Sequence, residues 1–200
     1  MIADPPTGRV VMLNGASSAG KSTLARVLQD DLAAAGSPWI VFSWDDFVPR
    51  LPGRWRSVPG SLGDRSDDGC SYRLVREEPM LEALLEVGVV GRRLLAGYHR
   101  SIAALARAGV DVIVEEVMIS ADEWEDWRQA LGDVDVRWIA VRCDTEIVER
   151  RESQRRDRYP GLARGTSSVV HLYATYDLEV DSSRSSPEEM AQEIVAAMDR

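Results

Sequence analysis

A single motif near the start of the chain restricts the possible folds more than any other feature. Residues 15–22 read GASSAGKS and match the pattern G-x-x-x-x-G-K-[ST]. The motif follows an apolar run at residues 9–14, which predicts a short buried strand, and it leads into helical spacing at residues 21–35. A chance match in a turn would lack these flanks. The order of strand, loop and helix therefore indicates a phosphate-binding loop.

Each part of this loop has a role in binding a nucleoside triphosphate. The glycines let the backbone curl so that its N–H groups face phosphate oxygens, and the following helix adds the positive end of its dipole. Lys21 is expected to reach the β- and γ-phosphates, and the Ser22 hydroxyl to bind Mg²⁺. Asp181 ends the last predicted strand, where loops often contact the base, with a plain turn as the alternative. The predicted nucleotide-binding residues are Gly15, Ala16, Ser17, Ser18, Ala19, Gly20, Lys21, Ser22, Thr23 and Asp181.

Further apolar runs alternate with helical segments along the chain. Besides the first strand, predicted strands cover residues 39–42, 110–117, 136–141 and 178–180, and predicted helices cover residues 78–108, 121–131 and 187–198. The long helical segment is expected to break near Gly88 or Gly91. Short apolar strands that alternate with helices indicate a parallel sheet covered on both faces. We expect one domain over residues 1–200, with an α/β, three-layer α/β/α fold and five parallel strands.

Residues 49–79 differ from the rest because they are rich in Pro, Gly, Ser, Asp and Arg and show little periodicity. Such a long connection is usually functional. We predict that it combines with the following helix into a substrate-binding region over about residues 46–108. Trp55 is the predicted exposed aromatic residue for stacking on a substrate. His99 and His171 are too isolated for a metal site, and we expect both to be structural.

Two acidic pairs follow predicted strands, at the sheet edge where ligands bind in such folds. Glu115 and Glu116 end the strand at 110–117, and one of these carboxylates can hold Mg²⁺. Adjacent strand residues face opposite sides, so only one is expected to reach the site, and Glu115 is favoured. Asp45 and Asp46 follow the second strand. An aspartate here suits the task of accepting the proton of an acceptor hydroxyl, whereas capping of a turn is the alternative.

An arginine-rich segment over about residues 149–165 is the predicted lid. Arg151, Arg155 and Arg158 are spaced to share one helical face. Their guanidinium groups can neutralise charge on a transferred phosphoryl group. The alternative is a solvated helix face whose arginines pair with Glu149 and Glu152.

Composition excludes several classes of function. The chain has 33 acidic and 24 basic residues and a net charge of −9, which argues against binding to nucleic acid. Its two cysteines are too few for a disulfide scaffold. Apolar stretches fall far short of the roughly 18 residues that a membrane span needs. With no leader sequence evident, a cytoplasmic protein without a membrane partner is expected, and a homo-oligomer is compatible with the sequence.

Taken together, these motifs resemble the chloramphenicol phosphotransferase-like proteins of actinomycetes. The resemblance runs in register over nearly the whole chain and is weakest at residues 49–78. The segments that carry it are residues 10–22 (VVMLNGASSAGKS), 42–45 (FSWD), 112–117 (VIVEEV), 141–144 (VRCD), 156–158 (RDR) and 179–181 (EVD).

The resemblance implies a P-loop kinase of the nucleoside-monophosphate-kinase type, which uses ATP and Mg²⁺ to phosphorylate a hydroxyl of a small molecule. It puts the family's catalytic base on Asp45, its phosphate-binding lysine on Lys21 and its lid arginines on Arg151, Arg155 and Arg158. The implied acceptor is an antibiotic, chloramphenicol-like or a nucleoside natural product, in self-resistance or biosynthesis. The family's acidic pair is Asp-Asp, whereas this chain has Glu115 and Glu116.

Two other functions are compatible with the sequence. A housekeeping kinase for a small metabolite or a nucleotide would draw on arginines of the substrate region to bind an acceptor phosphate. Those arginines are Arg50, Arg54, Arg56, Arg65, Arg73 and Arg76. A nucleotide-binding regulatory switch would instead respond to nucleotide without forming a phosphorylated product, and it would leave Asp45 without an obvious role.

Overall fold

The computed structural model describes residues 6–58, 61–77 and 80–198 of the chain. Its strands are β1 (Arg9–Asn14), β2 (Trp39–Ser43), β3 (Ser57–Val58), β4 (Ser61–Leu62), β5 (Cys70–Arg76), β6 (Glu82–Val87), β7 (Asp111–Glu116), β8 (Asp135–Arg142) and β9 (Leu178–Asp181). Its α-helices are α1 (Lys21–Ala34), α2 (Trp44–Phe47), α3 (Val89–Arg107), α4 (Ala121–Ala130), α5 (Thr145–Ser153), α6 (Leu162–Ser167) and α7 (Pro187–Met198).

Five of these strands form one parallel sheet in the order β2-β7-β1-β8-β9. The register brings the polar ends of three strands to one edge, since Glu115 lies opposite both Leu13 and Ser43, and Glu116 lies opposite Asn14. The predicted α/β fold with a five-stranded parallel sheet is confirmed.

The sheet separates two apolar cores, as a three-layer fold requires. Alternate residues of β1 face opposite sides: Val11 and Leu13 belong to one core, and Val10 and Met12 to the other. Helices α1 and α7 cover the first face and α3 and α4 the second. Because β1 is buried on both faces, its sequence is a continuous apolar run rather than an alternating one.

Helix α3 illustrates how amphipathic helices cover the sheet. Tyr98, Ile102 and Ala106 are fully buried, while Arg93 and Arg100 on the opposite side are exposed. Within the described residues, no helix is long and apolar enough to cross a membrane.

The region at residues 49–108 differs from the prediction. The segment predicted as an irregular loop contains β5, and the first part of the predicted helix is β6, which pairs antiparallel with β5. Residues 82–87 read EALLEV and favour a helix by local propensity, but pairing with β5 and contact with α6 override that preference. The predicted break at Gly88 is where β6 ends and α3 begins.

The arginine-rich segment is also not one continuous helix. Helix α5 ends at Ser153, and α6 begins only at Leu162. Glu152 does not pair with an arginine in this turn. Its carboxylate accepts hydrogen bonds from the backbone N–H groups of Gly161 at 2.9 Å and Ala163 at 2.7 Å, and so holds the start of α6.

Candidate active site

The loop between β1 and α1 has the tight curvature expected of a phosphate-binding loop. A side chain at Gly15 would lie 2.6 Å from the carbonyl oxygen of Val141, so only glycine fits. Ser18 and Gly20 both adopt positive φ angles, 64° and 95°. Thr166 of α6 braces the loop, because its hydroxyl accepts a hydrogen bond from the N–H of Ser17 at 3.0 Å.

The loop carries buried polar side chains, and two of them have no hydrogen-bond partner among the described residues. The hydroxyls of Ser17 and Ser18 make no hydrogen bond in the described structure. The ammonium of Lys21 donates to the carbonyl oxygens of Gly15 and Ala16, both at 2.8 Å. Burial lowers the pKa of Lys21 to about 8, while Glu115 and Asp45 oppose that shift. Buried donors of this kind fit the oxygens of a phosphate chain.

Ser22 and Glu115 form the oxygen pair that fits a divalent cation. The Ser22 hydroxyl donates to Glu115 Oε2 over 2.6 Å. Burial raises the pKa of Glu115, while the bond from Ser22 and the charge of Lys21 act in the opposite direction. A hydroxyl and a carboxylate beside a phosphate-binding loop are the hard oxygen donors that Mg²⁺ prefers.

The prediction that only one of the two glutamates reaches the site is wrong, because Glu116 lines the cavity as well as Glu115. Both carboxylates line the same cavity, because it extends around the end of β7. Glu116 contacts its own neighbour, Val117 N–H, at 3.3 Å, and its Oε1 has no partner in the described structure. Burial raises its pKa to about 8, and nearby Glu123 adds to that shift.

The two aspartates after β2 have different environments. Asp46 caps α2, because its carboxylate accepts a hydrogen bond from the N–H of Ser43 at 3.1 Å. Asp45 lines the cavity and accepts a hydrogen bond from Arg158 at 2.7 Å. Capping therefore accounts for Asp46, while Asp45 is directed to the cavity.

All three predicted lid arginines line this cavity, although they do not share a helical face. Arg151 lies in α5 and donates to Ser182, at 3.2 Å to the hydroxyl and 3.0 Å to the carbonyl oxygen. Arg155 and Arg158 lie in the segment between α5 and α6, and both residues line the cavity. Arg155 also pairs with Asp157 at 2.7 Å, which lowers the pKa of Asp157 to about 2.

Two predicted contact residues lie elsewhere. Asp181 does not line the cavity; its carboxylate accepts a hydrogen bond from the N–H of Ser183 at 2.8 Å, as in a plain turn. Trp55 is half-buried under the guanidinium of Arg65, 4.4 Å from the ring centre, and is not an exposed platform. Ser182 and Ser185 line the cavity on the side where Asp181 was expected.

The cavity has a volume of about 400 Å³ and lies at the C-terminal edge of the sheet. One part of its lining is mainly apolar, and we call this part the inner chamber. The inner chamber is lined by Leu85, Val87, Leu95, His99, Met118 and Trp127. Four of these residues, on β6 and α3, lie within the substrate-binding region predicted at residues 46–108. Sequence reasoning missed Met118 and Trp127, because no motif connects them to that region.

Similarity to known proteins identifies the family of this chain. A family model described as chloramphenicol phosphotransferase-like protein matches residues 8–199. The chain belongs to this family. A family relative in Mycobacterium tuberculosis strain H37Rv, the O-phosphotransferase candidate Rv2636, is 28% identical over 206 positions, covering 96% of this chain and 83% of that protein.

Solved structures support the fold of this chloramphenicol phosphotransferase-like protein. The APS kinase CysC of M. tuberculosis, in complex with AMPPNP and APS, aligns with a TM-score of 0.66 and 19% identity, over 98% of this chain and all of that chain. The tunicamycin resistance protein of Deinococcus radiodurans aligns with a TM-score of 0.61 and 15% identity, over 96% and 95% of the two chains. Family and fold together make the protein a kinase-type P-loop phosphotransferase.

Proposed function

We propose that this phosphotransferase moves the γ-phosphoryl group of ATP to a hydroxyl of a small molecule, and that the acceptor is an antibiotic. One observation carries the proposal. Residues suited to hold a triphosphate, a divalent cation, an acceptor hydroxyl and a developing negative charge all line a single cavity. These residues are Lys21, Ser22, Asp45, Glu115, Arg151, Arg155 and Arg158.

The triphosphate would bind along the loop from Gly15 to Thr23. Its β- and γ-phosphate oxygens would accept from Lys21, which exchanges its present bonds to the Gly15 and Ala16 carbonyls for bonds to phosphate. The unpartnered Ser17 and Ser18 hydroxyls add two further donors. Arg151, which borders Ser182, would lie along the nucleotide.

Ser22 and Glu115 would hold Mg²⁺. When bound, the cation neutralises charge on the β- and γ-phosphate oxygens. Glutamate is one methylene longer than the aspartate expected from the family pattern, so its carboxylate extends further from β7. The 2.6 Å contact between Ser22 and Glu115 supports their cooperation in one site.

Asp45 would act on the acceptor. Its carboxylate accepts the proton of the acceptor hydroxyl while that oxygen forms a bond to the γ-phosphorus and the bond from phosphorus to the bridging oxygen of ADP breaks. Lys21, Arg155 and Arg158 stabilise the charge on the transferred group. Catalysis of this kind depends mainly on positioning and electrostatics, since phosphoryl transfer leaves little covalent chemistry to the protein.

An antibiotic acceptor is supported by family membership and by the inner chamber. A mainly apolar chamber suits the body of a chloramphenicol-like molecule or a nucleoside natural product better than a small, fully hydrated metabolite. Phosphorylation of such a molecule would serve self-resistance or a step in its biosynthesis.

The test is ATP consumption with Mg²⁺ against hydroxylated antibiotics, nucleosides and common metabolites, with mass spectrometry of each acceptor. We expect an antibiotic or nucleoside to gain one phosphoryl group, and the Lys21→Ala variant to lose this activity. A phosphorylated common metabolite would support a housekeeping kinase. Nucleotide binding without any phosphorylated product would support a regulatory switch and contradict the proposal.

A further inference from the structure

The order of strands divides the cavity between two ligands. On one side of β1 lie β8 and β9, whose following segments contribute the lid arginine Arg151 and the serine loop. On the other side lie β7 and β2, which end at Glu115, Glu116 and, just beyond β2, Asp45. Five of the six inner-chamber residues belong to, or pack against, the apolar core that also contains Trp44, the neighbour of Asp45. A phosphoryl acceptor that reaches Asp45 would therefore extend into the inner chamber.

His99 is the inner-chamber residue whose hydrogen bonding is incomplete. It is 1% exposed and stacks on Trp127, with ring centres 3.9 Å apart and planes inclined by 29°. Its Nδ1 lies 2.5 Å from a carboxylate oxygen of Asp126. A carboxylate oxygen accepts hydrogen bonds, so this contact favours the tautomer with the proton on Nδ1, which leaves a lone pair on Nε2.

The Nε2 atom of His99 is buried and has no partner among the residues that the structure describes. Buried polar atoms in folded proteins are almost always hydrogen-bonded. The contact with Asp126 and the stack on Trp127 hold the ring in one orientation. A fixed, unpartnered acceptor beside an apolar wall is typical of a site that orients a ligand through one hydrogen bond.

The supply of cations around the inner chamber decides whether an anionic molecule can bind there. Glu116 and Glu123 line the cavity on this side, next to Glu115 and Asp45. Of the arginines between residues 50 and 76, all within the described ranges, none lines the cavity. Several are paired elsewhere on the surface: Arg54 with Asp64, Arg65 with Asp68, Arg73 with Glu86 and Arg76 with Glu82.

The cations that do line the described cavity come from the phosphate-binding loop and the lid: Lys21, Arg151, Arg155 and Arg158. A triphosphate would use them. An acceptor with its own phosphate or carboxylate would find no lysine or arginine among the described residues that line the inner chamber, and burying an unpaired charge is strongly unfavourable. The arginines that a nucleotide acceptor would need are therefore not at this site.

We infer that His99 is a specificity-determining residue whose Nε2 accepts a hydrogen bond from an O–H or N–H group of an uncharged acceptor. That group is separate from the hydroxyl that reacts at Asp45, and the apolar part of the acceptor lies against Leu85 and Leu95, which are partly exposed in the cavity. Asp126 is a positioning residue, since it acts by holding the tautomer of His99. The inference rests on the proposed function and narrows its acceptor class to neutral molecules.

Two substitutions at His99 test the roles of its two ring nitrogens separately. His99→Asn retains a donor toward Asp126 but removes the acceptor at the position of Nε2, whereas His99→Gln puts an amide oxygen near that position. We expect the Asn variant to raise the KM of the acceptor about tenfold, the size of one lost hydrogen bond, with the KM of ATP unchanged. The Gln variant should recover most of that loss. Arg100→Ala, an exposed neighbour on α3, is the matched control.

The acceptor class is tested with defined probes. Chloramphenicol and uridine are neutral and hydroxylated, whereas UMP and gluconate are anionic. We expect phosphoryl transfer to a neutral probe, and transfer chiefly to UMP or gluconate would overturn the inference. Transfer to a neutral probe with an unchanged acceptor KM in His99→Asn would also overturn it while leaving the proposed function intact. If no acceptor is phosphorylated although ATP binds, the proposed function fails and the inference fails with it.

A measurement on the unmodified protein tests the inference even if the His99 variants do not fold. Long-range ¹⁵N–¹H spectra of the histidines report which ring nitrogen carries the proton. We expect His99 to be protonated at Nδ1, and its Nε2 resonance to move when the neutral probe that serves as acceptor is added with a non-hydrolysable ATP analogue. A proton on Nε2 in the free protein, or an Nε2 resonance that does not move, would overturn the inference.

Discussion

The guanidinium of Arg158 donates to the carboxylate of Asp45 across 2.7 Å, although the two residues are 113 positions apart in the chain. The contact joins the first turn of α2 to the turn that follows α5. In this arrangement the candidate base is paired with one of the predicted lid arginines. A bound triphosphate would compete for Arg158, so we expect nucleotide binding to release Asp45 for the acceptor hydroxyl.

Replacement of the candidate base tests its role directly. We expect Asp45→Asn to bind ATP normally and to lose phosphoryl transfer by about 10²- to 10⁴-fold, the usual contribution of a general base. Asp46→Asn is the matched control, because Asp46 caps α2 and does not line the cavity. Titration with ATP and steady-state rates would check both variants. Full activity in Asp45→Asn would exclude Asp45 as the base.

Removal of the Arg158 side chain, which pairs with Asp45, should affect the rate of phosphoryl transfer more than the stability of the fold. We expect Arg158→Ala to lower kcat by about 100-fold, because a preorganised charged donor is lost from the transferred group. Arg156 is exposed and does not line the cavity, so Arg156→Ala should change kcat by less than about twofold. Equal rates for the two variants would contradict a role for Arg158 in transfer.

The metal assignment predicts a different response from the two glutamates. Glu115→Gln should raise the Mg²⁺ concentration needed for half-maximal rate by at least about tenfold, because a charged oxygen beside Ser22 is lost. Glu116→Gln should move this concentration by less than about twofold, since Glu116 contacts Val117 and not Ser22. Rates measured over a Mg²⁺ series would distinguish them, and the reverse order would reassign the metal ligand to Glu116.

The burial of His99 predicts how stability responds to acid. Its pKa is lowered to about 4, chiefly by desolvation, although Asp126 opposes the shift. Below pH 6.5 the unfolded chain binds a proton that the folded protein does not, so each pH unit removes about 1.4 kcal/mol until the folded-state pKa is reached.

The His99 contribution is best measured as a difference, because Glu116 has a raised pKa and titrates with the opposite sign. We expect the free energy of unfolding of wild type, minus that of His99→Asn, to fall by roughly 2 kcal/mol between pH 7 and pH 5. Urea unfolding at a series of pH values gives this quantity. A difference that does not vary with pH would show that His99 has an ordinary pKa.

Contact between α6 and β6 predicts a large effect of one methyl group. A Cβ atom at Gly165 would lie 2.1 Å from the carbonyl oxygen of Ala83, so Gly165→Ala should reduce stability by about 1–3 kcal/mol. Gly97 of α3 is exposed, and nothing lies within 4 Å of the position that a Cβ atom would take there, so Gly97→Ala should increase stability by about 0.5–1 kcal/mol. Urea unfolding compares the two, and equal effects would contradict the α6–β6 packing.

Local signals in the sequence were sufficient for the central sheet and the phosphate-binding loop. The strand at Arg9–Asn14, the loop from Gly15 to Ser22 and the helix after it are determined by neighbouring residues, through burial on both faces, glycine curvature and helical spacing. The closing helix Pro187–Met198 was also predicted with its observed bounds. In each case the sequence pattern that predicts the element lies within a few neighbouring residues.

The tertiary structure decided the remainder. Residues 82–87 have helix-forming side chains and become β6 only because β5 and α6 are present to pair and pack with them. Likewise, Arg158 reaches Asp45, and His99 meets Trp127, through contacts between distant elements. The helix propensity of an ordinary residue contributes less than about 1 kcal/mol to stability. The stabilisation from strand pairing and packing with distant elements is larger, so it decides the conformation of residues 82–87. The sequence by itself therefore predicted a phosphate-binding loop at the edge of a parallel sheet, whereas the tertiary structure decided which side chains line the cavity beside that loop.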